Sequence, residues 1–293
     1  MRNAQYAIIF ILTLCGVQLA VAGEKVDLSL KVPDSGTLLI DNTRGLVKVI
    51  GWDKEEVLLQ GELDDSAREL VFKNKGHKTL IKVVMNGMSH GGDDSNLKVF
   101  MPKDLKLRFK GVDTSFRFSN LHNGIKGQTI NGNLIIDNVH SKMAVSSVSG
   151  KIQITKSSGR ASVESVSGLI ELAGQFSKVK VKTMSGDVIA SIDDISVLKV
   201  ENISGDTMIN GRLQDKASVK LTSVNGDIRY KVKGELNANC NIASQFGGEI
   251  MNFLTEHKPW SERSSERKLS FVSGDGSGKL VMNTVSGSVT INK

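Results

Sequence analysis

The sequence predicts an all-β protein, a single-stranded parallel β-solenoid (β-helix) with rungs of about 18–22 residues behind an irregular β N-terminal cap. Three observations carry that prediction. A Ser-Val-Ser-Gly phrase at 147–150 returns at 165–168 and recurs in altered form around Gly186, Gly205, Gly226, Gly248 and Gly287, with an earlier copy at Gly132. The glycines from 132 to 248 stand 18, 18, 18, 19, 21 and 22 residues apart, and the last gap, 39, is close to two periods. Apolar residues also keep fixed distances from each glycine. Five before it stand Val145, Val163, Val181, Val200 and Leu221; two before it, Ile130, Val148, Val166, Met184, Ile203, Val224, Phe246 and Val285. Two after it come Leu134, Ile152, Ile170, Val188 and Ile228, and four after it Ile136, Ile154, Leu172, Ile209 and Tyr230.

A unit of this length cannot bury its own apolar face. Copies stacked about 4.8 Å apart can, because each strand then pairs in parallel with the one above and the one below. Helical solenoids need longer units and leucine-rich repeats their own pattern, so β-branched columns broken by glycine corners select a β-solenoid. The apolar columns are expected to be the faces that stacking buries, and a charge at Ile170 would be costly there. The residue three before each glycine is always small or polar: Thr129, Ser147, Ser165, Thr183, Asn202, Ser223 and Thr284, with Ser244 displaced by one. It is expected to form a corner ladder bonding to backbone, since Ser and Thr favour turns for that reason.

Residues 1–22 read as a signal peptide, with Arg2 at the charged start, an apolar stretch over 6–20 and Ala20-Val21-Ala22 as the cleavage site. The apolar run is too short to predict a membrane span, and Leu14 directly before Cys15 makes a poor lipidation site. After cleavage Cys240 is the one cysteine left, so no intramolecular disulfide forms and its strand position predicts a small buried residue. Residues 23–104 are strand-rich without the period and are expected to cap the stack or form irregular first rungs. Phe116 and Phe118 lie 18 residues before Leu134 and Ile136, which starts the regular solenoid, 105–293, near residue 105. Two loops interrupt the strand pattern of the chain. Asn86–Asn96 is Gly-rich, with His90, Asp93 and Asp94 too sparse for a metal site, and 253–275 is a loop excursion carrying Trp260 as a possible partner anchor.

The recurring [Ser/Thr]-Val-Ser-Gly-Asp-Ile phrase resembles the bacterial putative-adhesin family, exported cell-envelope β-solenoid domains of uncharacterised function. Gly45-Leu46-Val47-Lys48-Val49-Ile50-Gly51-Trp52-Asp53 and the closing Gly276-Ser277-Gly278-Lys279-Leu280 with Thr284-Val285-Ser286-Gly287 are similar to it too. The resemblance implies an exported, envelope-associated solenoid, in the periplasm or at the cell surface, and brings no catalytic residues with it. Asn225 and Gln245-Phe246-Gly247-Gly248 depart from the phrase and put the local rung geometry in question.

In a solenoid, equivalent outward residues stack one rung apart. Lys180, Lys199 and Lys220 form such a column six before the glycine. Their mutual repulsion costs under about 1 kcal/mol per pair in water. Asp187, Asp206 and Asp227 follow the glycine directly; they fit Gly-Asp turn chemistry, and a shared Ca²⁺ position would lack the Gly-Gly-x-Gly-x-Asp spacing of calcium solenoids. The formal charge is +7, and +6 once Arg2 leaves (7 − 1 = 6). Export and the lack of an aromatic stacking platform argue against nucleic acid. Anionic envelope polysaccharide, lipid head groups or an acidic envelope protein remain as partners. Lys180, Lys199, Lys220 and Trp260 are the candidate binding residues. No cofactor is implied. The expected function is a non-catalytic envelope scaffold or adhesin-like binding module. The alternative is a polysaccharide lyase or hydrolase on a β-helix, for which only the three aspartates cluster and no neighbouring column supplies an Arg or His.

Overall fold

The computed structural model describes residues 23–87, 92–261 and 265–293; residues 1–22, read above as a signal peptide and including Cys15, and His90 lie outside them. The chain runs through β1 (Lys25–Lys31), β2 (Thr37–Trp52), β3 (Glu56–Glu62), β4 (Ala67–Lys75), β5 (Lys78–Met85), β6 (Ser95–Pro102), β7 (Lys106–Leu121) and β8 (Ile125–Asn131). It continues through β9 (Leu134–Ser149), β10 (Ile152–Ser167), β11 (Ile170–Ser185), β12 (Val188–Ser204), β13 (Thr207–Asn225) and β14 (Ile228–Val232). β15 (Ala238–Ser244), β16 (Ile250–Asn252), β17 (Arg267–Ser273), β18 (Gly278–Ser286) and β19 (Val289–Asn292) complete it. The result is a parallel β-solenoid. Successive rungs pair one period apart, for example Ile152 with Ile170 and Ile170 with Val188.

Each rung has two arms folded face to face. In the first, after the glycine, Ile152 and Ile154 point inward; in the second, before the next glycine, Ala161, Val163 and Ser165 do. Ile170 is fully buried between its neighbours. At the glycine corner Gly150, Gly168, Gly186, Gly205, Gly226 and Gly287 have φ between +117° and +158°. A Cβ on any of them would collide with the carbonyl oxygen of the glycine one layer away. Both reasons demand glycine. The opposite bend uses Asn120, Asn138 and Lys156 at φ 47–57°. The Asn138 amide donates to Asn120 Oδ1 at 2.7 Å, bonding one layer to the next.

The column two before the glycine corrects the expectation of burial. Ile130, Val148, Val166, Met184, Ile203 and Val224 are 40–55% exposed and Phe246 is 65% exposed. Parity is the reason: the columns seven, five and three before the glycine face inward, so two before must face out. The small polar column is the one inside. Thr129 Oγ1 donates to the Thr114 carbonyl at 2.8 Å, Ser147 Oγ to the Ser149 carbonyl at 2.9 Å and Ser244 Oγ to the Gly287 carbonyl at 2.9 Å, while the Asn202 amide donates to the Gly205 carbonyl at 2.8 Å.

The layers do not follow chain order at either end. β13 and β14 pair with β18 and β19, and these in turn pair with β15 and β16. The chain therefore skips a layer after Val232, builds the outer one, and comes back to fill the gap, with Gly287 between Gly226 and Gly248. Residues 267–273, within the stretch expected as a loop excursion, are β17, antiparallel to β15. The N-terminal side mirrors this. β2 is a complete rung between β7 and the outer strands β5 and β6, which β4 and β3 cover in antiparallel fashion, and β1 covers β3. Antiparallel covers close both ends. At the N-terminal corner Arg44 grips the fully buried Asp64 carboxylate through two N–H bonds of 2.8 and 2.7 Å. The Gly-Trp-Asp motif serves the same cap: Gly51 leaves room for the Asn120 carbonyl, and Trp52 stacks on Phe100 at 5.0 Å.

Candidate binding face

Strand alternation sends three columns of the second arm to its outer face, eight, six and four residues before each glycine. In the middle column Lys180, Lys199 and Lys220 are in register across β11, β12 and β13. The column continues through Ser162, Ala144, Lys126 and Arg108. The column eight before carries Lys142, Arg160, Lys178 and, beyond Val197 and Ser218, Lys279. In the column four before, Glu164, Lys182 and Glu201 stand side by side. Where Ala144, Ser146 and Ser162 replace long side chains the face dips into a shallow depression edged by Lys126 and Glu164.

Sequence reasoning found the three lysines and missed the column eight before the glycine and the continuation of the middle column to Lys126 and Arg108. The −8 column was readable by the same counting, since Lys142, Arg160 and Lys178 are 18 residues apart. The three lysines are not equivalent. Lys199 pairs with Glu201, which Lys182 also reaches at 3.3 Å. The hydrogen bond from Lys199, helped by Lys182, holds the Glu201 carboxyl below the usual range. Lys180 and Lys220 have no such carboxylate partner among the described residues.

The aspartates lie on the other side of the glycine corner, on the first arm, and the structure does not bring them to the lysines. Asp187 Oδ1 accepts the Asp206 N–H at 2.9 Å, Asp206 Oδ1 the Asp227 N–H at 3.0 Å, and Asp227 Oδ1 the Ser288 N–H at 2.9 Å. Arg229 bridges Asp206 at 3.0 Å and Asp227 at 2.8 Å. This corrects the expectation that no neighbouring column offers an arginine: Arg229 lies two residues past Asp227, on the same outward parity. The carboxylates thus tie layers together, one N–H bond per step. Among the described residues no three His, Cys, Asp or Glu side chains come together as a metal-ligand set.

Trp260 stands beyond β17, at the C-terminal end of the stack and away from the lysine column. It exchanges two 2.9 Å backbone hydrogen bonds with Lys268, whose ammonium lies 5.6 Å from its ring centre. Cys240 is buried, and burial pushes its thiol up to about 12. No helix among the described residues is long and apolar enough to cross a membrane.

Fold and surface together define a repeat domain whose layered scaffold displays side-chain columns. The chain belongs to the Toastrack DUF4097 family, whose model matches residues 13–292. Solved structures resemble it at low identity. A putative adhesin from Bacteroides fragilis NCTC 9343 is 11% identical, with 92% of this chain and 97% of that one covered and a TM-score of 0.42. A putative adhesin from Parabacteroides merdae ATCC 43184 is 12% identical over 93% and 98%, with a TM-score of 0.39. A protein described as a putative lipid binding protein, from Parabacteroides distasonis ATCC 8503, is 11% identical over 93% and 98%, with a TM-score of 0.30. No curated protein matches the chain.

Proposed function

We propose that the chain is an exported, non-catalytic binding module of the cell envelope that holds a polyanionic partner on the outer face of its second arm. The observation that carries this reading is the in-register basic face, in which Lys180 and Lys220 stand without a carboxylate partner among the described residues. Positive columns on a rigid sheet offer a repeating array to a repeating anion, and electrostatic attraction of this kind weakens as salt screens it. The layer-to-layer bonds of Asp187 and Asp206 and the Arg229 ion pairs of Asp206 and Asp227 count against these three as the acid–base set of a lyase. Immobilised dextran sulfate tests the proposal. Wild-type protein should be retained at low salt and released as salt rises, and Lys180→Glu with Lys220→Glu should abolish retention while leaving melting unchanged. Equal retention of the double variant contradicts the site, and depolymerisation of an acidic polysaccharide, stopped by Asp206→Ala, contradicts the non-catalytic reading.

A further inference from the structure

The exposed apolar column lies on the same outer face as the lysines. Val166 and Met184 are two residues past Glu164 and Lys182, about 6.6 Å along the strand and on the same side of the sheet. The pairs Ser165–Thr183 and Ser167–Ser185 flank them and fix their register, and Thr183–Asn202 and Ser185–Ser204 do the same for Ile203. The column is thus a straight ridge along the edge of a basic sheet. Single exposed apolar residues need no explanation, but a row that runs over consecutive layers from Ile130 to Val224 and is 40% or more exposed does. Folding does not require it, since the inward columns five and three before the glycine already fill the core.

A soluble polyanion would be served by the lysines alone and would gain nothing from the ridge. An anionic bilayer would be served by both: head groups attract the basic columns, and the ridge enters the boundary between head groups and acyl chains. We infer that the partner of this face is an anionic lipid surface, with Val148, Val166, Met184 and Ile203 as the inserted edge. This rests on the polyanion reading above and adds the membrane as the source of the charge.

The test uses mixed phosphatidylcholine–phosphatidylglycerol vesicles, pure phosphatidylcholine vesicles and soluble dextran sulfate. A Val166→Cys variant labelled with a polarity-sensitive dye reports insertion; the buried Cys240, with its raised thiol pKa, leaves position 166 as the reactive thiol. The dye should brighten and shift to the blue on mixed vesicles, and do neither on pure phosphatidylcholine or dextran sulfate. Val148→Thr, Val166→Thr and Met184→Thr together keep residues that suit strands, and should weaken vesicle binding about tenfold or more with dextran sulfate binding unchanged. An unshifted dye on vesicles that bind the protein, or a ridge variant that binds them like the wild type, overturns the lipid inference and leaves the polyanion reading standing. Failure of the wild type to bind either mixed vesicles or dextran sulfate overturns both.

Discussion

At the scale of single residues, the inward polar column shows what a position's chemistry does and does not reveal. Thr129 and Thr183 occupy equivalent places, yet Thr129 donates to the Thr114 carbonyl while the Thr183 hydroxyl is buried with no partner. An unmade buried hydrogen bond costs more than a made one contributes. Thr129→Val should therefore lower stability by about 1 kcal/mol and Thr183→Val leave it equal or raise it by up to about 1 kcal/mol, read from denaturant midpoints at constant slope. Equal losses at both sites would contradict the difference. The sequence made the column visible but not its direction. Val166 looks like core because it is apolar and periodic, while Ser165, read as part of a corner ladder, gives no direction of its own. Strand parity counted from Val163 turns Val166 out and Ser165 in, and parity is the stronger rule because one residue of slip moves a side chain to the other face.

At the scale of elements, the two ends were the least legible. The 39-residue gap before Gly287 reads equally as a missed rung or as a long loop, and only pairing shows that β18 and β19 fill a layer left open earlier. Deleting residues 278–293 should therefore strip amide-exchange protection from 238–252 as well, since β15 loses its parallel partner. Retained protection there would mean that the outer layer stands directly on β13 and β14. At the other end, the Arg44–Asp64 pair has no period to announce it. Burial raises the Asp64 pKa, but the Arg44 hydrogen bonds and the Ser66 N–H outweigh it, so the folded pKa lies below the ordinary 3.8. A depressed carboxyl contributes stability above its unfolded pKa and loses it as pH falls through the folded value. Asp64→Asn should cost about 2 kcal/mol or more at neutral pH and flatten the loss of stability below about pH 4. A variant with the wild-type acid profile would show that the pair is not what titrates.

At the scale of the whole molecule, sequence and structure agree on the solenoid because period and glycine corners are properties of every rung at once, and no single substitution hides them. The surface was half legible. Lys180, Lys199 and Lys220 stand out as a run of identical residues. The wider face does not, because Arg108, Lys126, Lys142, Arg160 and Lys279 are spread over more than half of the described chain and meet only when the layers are counted. Charge is also unevenly shared between the arms: the second arm carries the basic columns, the first the aspartate ladder with Arg229.

Lysine acetylation footprinting with and without mixed phosphatidylcholine–phosphatidylglycerol vesicles or dextran sulfate reads this asymmetry directly. Lys126, Lys142, Lys178, Lys180 and Lys220 on the second arm should become protected while Lys48 and Lys231 on the first keep their reactivity. Protection spread evenly over both arms, or confined to Lys48 and Lys231, would contradict a binding face on the second arm.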